Sequence, residues 1–558
     1  MPRFSKYSMR EDDVNEKTRA AKMGARQSRR AGWLDEVIEF GAKPRWRCAQ
    51  RAELQPAGTQ TDQAKGEKSP FVSEEGEISG PALSLPVDIT PEQLALLLNS
   101  LLGTDEDPLP YTFEVAETEI TTTLDKDIIE SNKHSTEETF KILYRPQAVF
   151  RVRAVTRCSS SLSGHTDAIL CVSFSPCGTM MASGGGDTTV RIWDLNTETP
   201  HHQLKGHRHW VQHVAWSPNG KMLASAGMDG LVIVWDPKGG KQLAALKGHS
   251  KWVSALAWEP LHLNATCRRL ASSSADGTVR VWDVVKKQIE FSMAQHTAPV
   301  MCVKWAGDGL IYSASRDKTI KIWASTGDRP GKLVKVLNGH AHWITSLALS
   351  TDHVLRTGAF DHTGKVYAEE SEAQRRALER YEKAIAINPE RLCSGSDDFT
   401  MYLWPNKNDE AVDGKKAAPK RMVGHQKTVN HVNFSPDGRY IASASFDKSV
   451  KIWDSRDGKF VASLRGHVAE VYQVVWSSDS RMLLSCSKDS TIKLWDIKTR
   501  KMKMELPGHL DEVFTVDWSP AGDKAASGSK DKTLKIFYKK DQLIIYLALP
   551  YTWATTNK

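Results

Sequence analysis

One stretch decides the fold of this 558-residue chain: Gly424-His425-Gln-Lys-Thr-Val-Asn-His-Val-Asn-Phe-Ser-Pro-Asp-Gly438-Arg-Tyr-Ile-Ala-Ser443-Ala-Ser-Phe-Asp447-Lys-Ser-Val-Lys-Ile-Trp453. It opens with a Gly-His pair and contains a Ser-Pro-Asp-Gly turn. Ser443 stands four residues before Asp447, and Trp453 stands six residues after it. Short segments of alternating apolar and polar residues between such turns are typical of β-strands. The stretch therefore predicts a small antiparallel sheet.

The same pattern recurs along the chain. The Gly-His pairs, with Gln295-His296 as a variant, place histidines at His165, His207, His249, His296, His340, His425, His467 and His509. The successive spacings are 42, 42, 47, 44, 85, 42 and 42 residues. The four most regular copies contain the sets His165, Ser183, Asp187, Trp193; His207, Ser225, Asp229, Trp235; His425, Ser443, Asp447, Trp453; and His467, Ser485, Asp489, Trp495. A repeat of this length with this ending is the WD40 signature, and it predicts an eight-bladed β-propeller.

The repeated His, Asp and Ser residues have two interpretations. Together they resemble hydrolase triads, but eight copies at blade spacing are better explained as buried hydrogen-bond networks that satisfy the indole N–H of the tryptophan. The chain also contains no phosphate-binding glycine loop, metal cluster or nucleophile motif. We therefore expect a protein that is not an enzyme. The last repeat has Phe537 in place of the tryptophan, so its indole hydrogen bond is expected to be lost.

Two further features concern the ring. The segment Ala148-Val-Phe-Arg-Val-Arg-Ala154 precedes the first Gly-His pair and is predicted to complete the last blade, which would leave no open sheet edge. The fifth repeat is irregular: Thr357, Asp361 and Tyr367 follow His340, and Ser394, Asp398 and Trp404 then repeat the second half of the pattern. Apolar residues at helical spacing between these halves predict a helical insertion over 368–390. A ninth, partial blade is the alternative.

Charge divides the chain into two unlike parts. Residues 71–143 carry 3 Lys or Arg against 16 Asp or Glu, whereas residues 144–558 carry a net charge of +16. A net positive charge of that size is suited to binding the phosphate backbone of a nucleic acid. The other interpretation is that the charge only keeps the protein soluble. The eight cysteines contain no Cys-x-x-Cys pair, and the first 30 residues have no apolar signal segment. We expect a soluble intracellular protein without a membrane partner.

The acidic part predicts a small α+β domain. Phe71 and the segment from Gly80 to Leu85 are predicted to form a hairpin. A helix follows, with Thr90 as its N-cap, Gln93 completing a capping box, and an apolar stripe of Leu94, Leu97, Leu98, Leu101 and Leu102. Strands are predicted at 111–115, 119–124 and 140–144. Hairpin, helix, hairpin and strand in this order predict a ubiquitin-like β-grasp fold over 70–146, ahead of the propeller at 147–538.

The loop between the helix and Pro108 carries Asp105, Glu106 and Asp107. A carboxylate at such a tip is suited to coordinate an Mg²⁺ ion that another protein presents. The other interpretation is a solvated charge cluster beside a turn.

Three motifs are similar to those of the Notchless family: Tyr144-Arg-Pro-Gln-Ala-Val-Phe150, Arg356-Thr-Gly-Ala-Phe-Asp-His-Thr-Gly364 and Ser394-Gly-Ser-Asp-Asp-Phe-Thr-Met401. The resemblance covers roughly residues 70–537 and implies a nuclear and nucleolar assembly factor of the large (60S) ribosomal subunit. It implies that the propeller grips the pre-60S particle, and that the ubiquitin-like (NLE) domain binds the metal-ion-dependent adhesion site of the AAA+ ATPase midasin. That ATPase would then pull on the domain.

By the same resemblance, Glu106 is the first choice for the side chain that bridges to the partner's Mg²⁺, with Asp105 and Asp107 as alternatives. The protein would hold no cofactor of its own and would be monomeric within the particle. The basic segment 1–69 and the tail 539–558 have no counterpart in the family, and the first strand of the ubiquitin-like domain is expected to be short.

Two other functions remain open. The run Trp453-Asp454-Ser455-Arg456 matches the Trp-Asp-x-Arg pattern of substrate receptors of cullin-type ubiquitin ligases. A signalling scaffold of the Notch pathway, which the family name suggests, is the third possibility.

Overall fold

A computed structural model describes most of both predicted domains. The described residues are 67–72, 78–85, 89–102, 110–115, 118–120, 122–124, 141–146, 152, 154–327, 329–361, 365–367, 369–405, 418–506 and 508–538. Residues 1–66, the tail 539–558 and the acidic loop 103–109 lie outside this part of the chain. None of the described helices is long and apolar enough to cross a membrane.

The first domain has the predicted β-grasp fold. Its elements are β1 (Glu67–Val72), β2 (Ile78–Leu85), α1 (Pro91–Leu102), β3 (Tyr111–Val115), β4 (Thr118–Glu119) and β5 (Ile142–Pro146). The sheet order is β2-β1-β5-β3-β4, and the central pair β1 and β5 is parallel while the hairpins are antiparallel. Strand β1 begins at Glu67, four residues before Phe71, so the start of the domain extends further than the sequence predicted.

Helix α1 shows why this segment is helical. The Gln93 N–H donates to Thr90 Oγ1 at 3.4 Å, and the Thr90 N–H donates to Gln93 Oε1 at 3.0 Å, which is the predicted capping box. Leu94 and Leu98 are fully buried against the sheet. The predicted stripe is wrong at its end, because Leu101 and Leu102 are 36% and 40% exposed. At a spacing of 100° per residue, both lie within about 60° of Leu98 around the helix axis, so their exposure follows from their position in the last turn and not from the face they occupy.

The predicted eight-bladed propeller is confirmed: eight four-stranded sheets follow. The strands that precede the insertion are β6 (Arg157–Ser163), β7 (Ile169–Phe174), β8 (Met180–Gly185), β9 (Thr189–Asp194), β10 (Thr199–Lys205), β11 (Val211–Trp216), β12 (Leu223–Gly227), β13 (Val232–Asp236), β14 (Lys241–Leu246), β15 (Val253–Trp258), β16 (Arg269–Ser274), β17 (Val279–Asp283), β18 (Gln288–Met293), β19 (Val300–Trp305), β20 (Leu310–Ser315), β21 (Thr319–Ala324), β22 (Leu333–Asn338) and β23 (Ile344–Leu349). Two helices come next, α2 (Asp352–Thr357) and α3 (Glu370–Ile387). The remaining strands are β24 (Leu392–Ser396), β25 (Thr400–Trp404), β26 (Lys420–Val423), β27 (Val429–Phe434), β28 (Tyr440–Ser445), β29 (Ser449–Asp454), β30 (Phe460–Arg465), β31 (Val471–Trp476), β32 (Met482–Ser487), β33 (Ile492–Asp496), β34 (Lys501–Leu506), β35 (Val513–Trp518), β36 (Lys524–Ser529) and β37 (Thr533–Tyr538).

Blades one to seven each use four strands in chain order, starting at β7, β11, β15, β19, β23, β27 and β31. The first strand of every blade contacts the first strand of the next, and β35 of the eighth blade contacts β7, so these strands surround a central channel. Between the blades lie large apolar side chains, among them six fully buried tryptophans. A single blade could not cover both of its faces, so this packing between neighbours stabilises the ring.

The ring closes with a different strand from the one predicted. Strand β6 pairs with β37 along its whole length and forms the outer strand of the eighth blade. The prediction that segment 148–154 closes the ring is therefore wrong. The prediction that a strand preceding the first repeat completes the last blade is confirmed. The outer strand of a blade faces solvent, so the polar sequence Arg-Cys-Ser-Ser-Ser-Leu-Ser is compatible with it. The more apolar segment instead places Val152, with Val155 after it, in the core between the last two blades.

The fifth blade contains the insertion and no ninth blade is present among the described residues. His340 contacts Ser394 and Asp398, at 2.8 Å and 2.9 Å, rather than the predicted Thr357 and Asp361. Strand β23 pairs directly with β24, so the 42 residues between them leave and re-enter one blade. Residues 357–367 resemble part of a repeat in sequence, but the blade is completed by strands β24 to β26 instead.

Candidate functional site

The repeated His, Ser, Asp and Trp side chains form one buried hydrogen-bonded chain within a blade. In the first blade, His165 Nε2 lies 2.8 Å from Ser183 Oγ, and His165 Nδ1 lies 2.9 Å from Asp187 Oδ2. The indole N–H of Trp193 donates to the same Ser183 Oγ at 2.8 Å. The chain joins the segment that enters a blade to the second and third strands of that blade.

Seven blades contain this arrangement in full, and the eighth contains its histidine, aspartate and serine. The other histidine, aspartate, serine and aromatic sets are His207, Asp229, Ser225, Trp235; His249, Asp276, Ser272, Trp282; His296, Asp317, Ser313, Trp323; His340, Asp398, Ser394, Trp404; His425, Asp447, Ser443, Trp453; His467, Asp489, Ser485, Trp495; and His509, Asp531, Ser527, Phe537. The eighth set lacks the indole donor because of Phe537. Each serine is fully buried, and a nucleophile at that depth would have no access to a substrate. The sets are suited to hold blades together.

The aspartates of these sets stay ionised. Burial alone would raise the pKa of Asp187, but hydrogen bonds from His165, the Thr166 N–H and Thr189 outweigh burial and hold this pKa below its ordinary range. The pKa values of the other seven aspartates are lowered in the same way, with Asp531 at about 2. Each carboxylate therefore acts as an acceptor for several N–H and O–H donors at the turn it closes.

Acid should destabilise this propeller in two steps. Burial lowers the pKa of His213 to about 4 and that of His431 to about 3, both from 6.5, so the unfolded chain binds more protons below about pH 6.5. The aspartates, with lowered pKa values, add a second loss below about pH 3.8. We expect the free energy of unfolding, measured with urea and tryptophan fluorescence, to fall steadily from pH 7 to pH 4. His213→Gln should reduce this slope, and His201→Gln, at an exposed position, should leave it unchanged; equal slopes in both variants would contradict the assignment.

The strand order gives the propeller two different faces. Connections from the first to the second strand and from the third to the fourth strand leave a blade at one end, and the other connections leave at the opposite end. We call the first end the helix face, because it includes α2 and α3 and the turns at Arg439 and Arg456. We call the opposite end the tryptophan face, because it includes Trp210 and Trp252.

The ubiquitin-like domain contacts the helix face through one acidic side chain. Glu114 of β3 forms ion pairs with Arg439 of the sixth blade and with Arg145 of its own domain, the latter at 3.2 Å. Arg456 Nη2 lies 3.9 Å from the same carboxylate. The side chains of Glu114, Arg145 and Arg439 are between 8% and 15% exposed, so solvent screens them little. These contacts hold the acidic domain against a basic patch of the propeller.

A second contact fixes the linker between the domains. The backbone N–H of Val152 donates to Asp479 Oδ2 of the seventh blade at 2.7 Å. A cleft of about 980 Å³ lies between the domains, and its walls include Glu92, Tyr111, Arg380 and Arg481. The position of the ubiquitin-like domain is thus set by an ion-pair cluster and by its linker.

Removal of the Glu114 carboxylate should loosen the domain. Glu114→Ala takes away the group that both guanidinium groups contact, so we expect a broader and longer distribution of distances between dyes placed on the two domains. Arg439→Glu should have the same effect because it brings two acidic groups together. Glu92→Ala, an exposed acidic position on the cleft wall, is the matched control. Unchanged distances in Glu114→Ala would mean that the linker alone positions the domain.

The residues singled out from the sequence fall into three groups. The structure brings the predicted tetrads together as described above. Glu106, Asp105 and Asp107 lie outside the described residues. Arg456 follows β29 in a turn, where its N–H donates to Asp454 Oδ1 at 2.7 Å and its guanidinium group faces the ubiquitin-like domain. Sequence reasoning missed Glu114 and Arg439, because a single carboxylate in a strand and an arginine after a Ser-Pro-Asp-Gly turn carry no recognisable spacing.

Comparisons with known proteins agree with both domains. Residues 70–128 match the NLE (NUC135) domain, and eight segments match the WD domain, G-beta repeat, at 156–194, 198–236, 240–283, 287–324, 331–367, 418–454, 458–496 and 500–537. The fifth match ends at 367, whereas the structure completes that blade with β24 to β26. The crystal structure of the computationally designed Ika8 protein superposes with a TM-score of 0.53 at 26% identity, over 69% of this chain and 100% of that chain.

Three curated relatives match most of the chain. The Saccharomyces cerevisiae protein named Ribosome assembly protein 4 is 50% identical over 407 residues, which cover 70% of this chain and 77% of that protein. The Notchless protein homolog of Arabidopsis thaliana is 52% identical over 73% of this chain and 84% of its own length. Protein Notchless of Drosophila melanogaster is 48% identical over 66% and 74%. An NLE domain followed by an eight-bladed WD40 propeller, with this identity, places the chain in the Notchless family.

Proposed function

We propose that this protein is a non-catalytic assembly factor of the large ribosomal subunit. The observation that carries the proposal is its 50% identity to a protein named Ribosome assembly protein 4, over 70% of this chain and 77% of that protein. In this role the propeller attaches to the pre-60S particle and the ubiquitin-like domain offers a carboxylate to a midasin-type AAA+ ATPase. Such a role would place the protein in the nucleus and nucleolus.

The way the chain is built supports a role in transmitting force. Ten residues separate β5 of the ubiquitin-like domain from β6, the strand that closes the ring. Because six residue pairs join β6 to β37, a pull on the ubiquitin-like domain would act on a strand paired into a sheet rather than on a loose end. The Glu114 cluster and the bond from Val152 to Asp479 add two further attachments.

Mg²⁺ in a partner's adhesion site needs one more oxygen ligand, which a carboxylate provides well. We propose Glu106 as this ligand, with Asp105 and Asp107 as the alternatives. The ubiquitin-like domain is acidic overall, so its charge favours approach to a bound cation. The protein itself would then need no resident cofactor.

The test is a binding assay with the midasin adhesion-site domain. Glu106→Ala should abolish Mg²⁺-dependent capture by that domain, while co-sedimentation with pre-60S particles and the melting temperature stay unchanged. Asp105→Ala and Asp107→Ala should weaken capture less. Glu137→Ala and Glu138→Ala, in the other acidic stretch outside the described residues, serve as matched substitutions. If capture survives Glu106→Ala but is lost in one of the other four variants, the residue changed in that variant is the ligand. If none of the five substitutions affects capture, the protein has no metal-bridging role at these positions.

A substrate receptor of a cullin-type ligase remains the competing function. Its motif residue Arg456 is 37% exposed at the side chain and points toward Glu114, which limits its access to a ligase adaptor while the domain is docked. Co-purification with a ligase adaptor, rather than with large-subunit precursors, would favour the receptor. A Notch-pathway scaffold would be supported by capture of a Notch-pathway protein in the absence of ribosomal precursors.

A further inference from the structure

We propose that the tryptophan face binds single-stranded RNA, with the indole rings of Trp210, Trp252 and Trp343 as stacking surfaces for bases. The inference rests on the proposed function in that a pre-60S particle would supply such RNA, but its physical basis is the structure of the face alone. No element of the ubiquitin-like domain or of the insertion takes part.

A repeated hydrogen bond places these residues at equivalent positions. In every blade, the residue before the aspartate of the buried set donates its N–H to the carbonyl of the residue immediately before the inner strand, as in Met228 to Trp210 at 2.8 Å and Ala275 to Trp252 at 2.9 Å. The eight acceptors are Ala168, Trp210, Trp252, Pro299, Trp343, Thr428, Glu470 and Glu512. They form a ring around the mouth of the channel. Its indoles belong to blades two, three and five, and its two carboxylates belong to blades seven and eight.

Close packing between blades brings neighbouring positions of this ring together. A Cβ atom on Gly230 of the second blade, at φ +76°, would lie 3.0 Å from the His249 carbonyl and 3.1 Å from the Lys251 carbonyl, so this turn packs tightly against the segment that enters the third blade. The same relation between the fourth and fifth blades places Arg316 over the Trp343 ring, 4.8 Å from its centroid. All three indole residues are half-buried.

Charge distinguishes the two halves of the tryptophan face. Arg208 and Lys251 are exposed beside Trp210 and Trp252. The acidic groups in the turns between the second and third strands of these two blades, Asp229 and Asp276, are already held by the buried histidines. In the seventh and eighth blades the lysines are paired with acids instead. Lys488 lies 3.9 Å from Glu470, and Lys530 lies 3.4 Å from Asp511. The half with the indoles therefore has the uncompensated positive charge.

Aromatic rings interleaved with basic groups suit single-stranded RNA. Every base has a π face that can stack on an indole, and the phosphates between bases can contact arginine or lysine. A duplex keeps its bases stacked on one another and would offer only phosphates. The Arg316 guanidinium group over the Trp343 ring shows that one of these indoles already contacts a cation through its π face. Residues 144–558 carry a net charge of +16, which favours a polyanion over an acidic peptide of lower charge density.

The test is a fluorescence-anisotropy titration with the full chain. The labelled ligands are single-stranded oligouridine, single-stranded oligoadenine, and the duplex that the two strands form with each other. Trp210→Ala combined with Trp252→Ala should weaken binding of the single strands by about tenfold or more and leave duplex binding unchanged. Arg208→Glu combined with Lys251→Glu, two exposed positions that do not endanger folding, should weaken binding and reduce the salt dependence. Matched controls away from the face are Phe460→Ala, an aromatic ring 52% exposed on an outer strand, and Lys241→Glu.

The outcomes separate this proposal from the function proposed above. Single-strand affinity equal to the parent in both double variants would overturn it, and so would equal losses in the controls. Loss of a large-subunit protein from the particle, with RNA affinity unchanged, would identify a protein segment as the occupant and also overturn it. If the parent binds RNA as expected but does not co-sediment with pre-60S particles, the RNA site stands and the assembly function fails.

Discussion

Trp495→Ala is expected to lower the free energy of unfolding by about 3–5 kcal/mol, the largest effect of any single substitution considered. The indole is 1% exposed between the sixth and seventh blades and belongs to a cluster with Ala442, Leu464 and Trp476. Its removal leaves a cavity between two sheets that are each held by their own hydrogen bonds and cannot collapse onto it. Urea unfolding followed by far-UV circular dichroism measures the loss.

The eighth blade supplies a natural control for this substitution. Phe537 is 2% exposed at the position equivalent to Trp495, and Ser527 keeps its contact with His509 at 2.7 Å without an indole partner. Trp495→Phe should therefore cost only about 1–2 kcal/mol, since one buried hydrogen bond is lost and most of the ring contact is kept. A loss for Trp495→Phe as large as for Trp495→Ala would show that the indole hydrogen bond, rather than packing, dominates.

Periodic features of this chain were predictable from its sequence, and unique contacts were not. The tetrads recur, so a spacing seen eight times can be recognised, and the physical need of a buried indole for a partner explains it. The closing strand is polar and occurs once, so the apolar segment ahead of it was chosen instead. Its true place depends on the edge of β37, which lies more than three hundred residues away.

The insertion illustrates the same limit. A helix over 368–390 was predicted from apolar spacing, and α3 lies at Glu370–Ile387. Nothing in that spacing indicates where the helix packs. In the structure, Tyr381 stacks on His262 at 4.3 Å and lies over Gly307, where a Cβ atom would be only 2.0 Å from the tyrosine ring. A helix that inserts into the fifth blade is thus held by the third and fourth, and only the ring geometry brings these residues together.

The short helix α2 joins opposite sides of the channel. Asp352 at its start contacts Lys304 of the fourth blade at 2.9 Å. Arg356, one turn later, contacts Asp517 of the eighth blade with both terminal nitrogens, one of them at 2.8 Å. The fourth and eighth blades lie opposite each other in the ring, with three blades between them on either side. The insertion therefore braces the ring across the helix face, the face on which the ubiquitin-like domain is docked.

Arg356→Ala should cost about 2–3 kcal/mol of unfolding free energy, because it leaves the Asp517 carboxylate, 7% exposed, without its cation. Asp517 also accepts the Phe174 N–H at 2.8 Å, so the loss affects the junction of the eighth and first blades as well. Lys304→Ala is the matched control at the other end of α2, where the Asp352 carboxylate is more exposed than Asp517, at 22%, and a loss below about 1 kcal/mol is expected.

Urea unfolding should rank these two variants, and limited trypsin digestion should cut the insertion at 375–376 or 383 faster in Arg356→Ala alone, since α2 and α3 are joined. Equal losses in the two variants would mean that burial of Asp517 does not govern the brace. If Arg356→Ala instead leaves the free energy of unfolding unchanged while trypsin cuts the insertion faster, that result would show that α2 covers the channel without stabilising the ring.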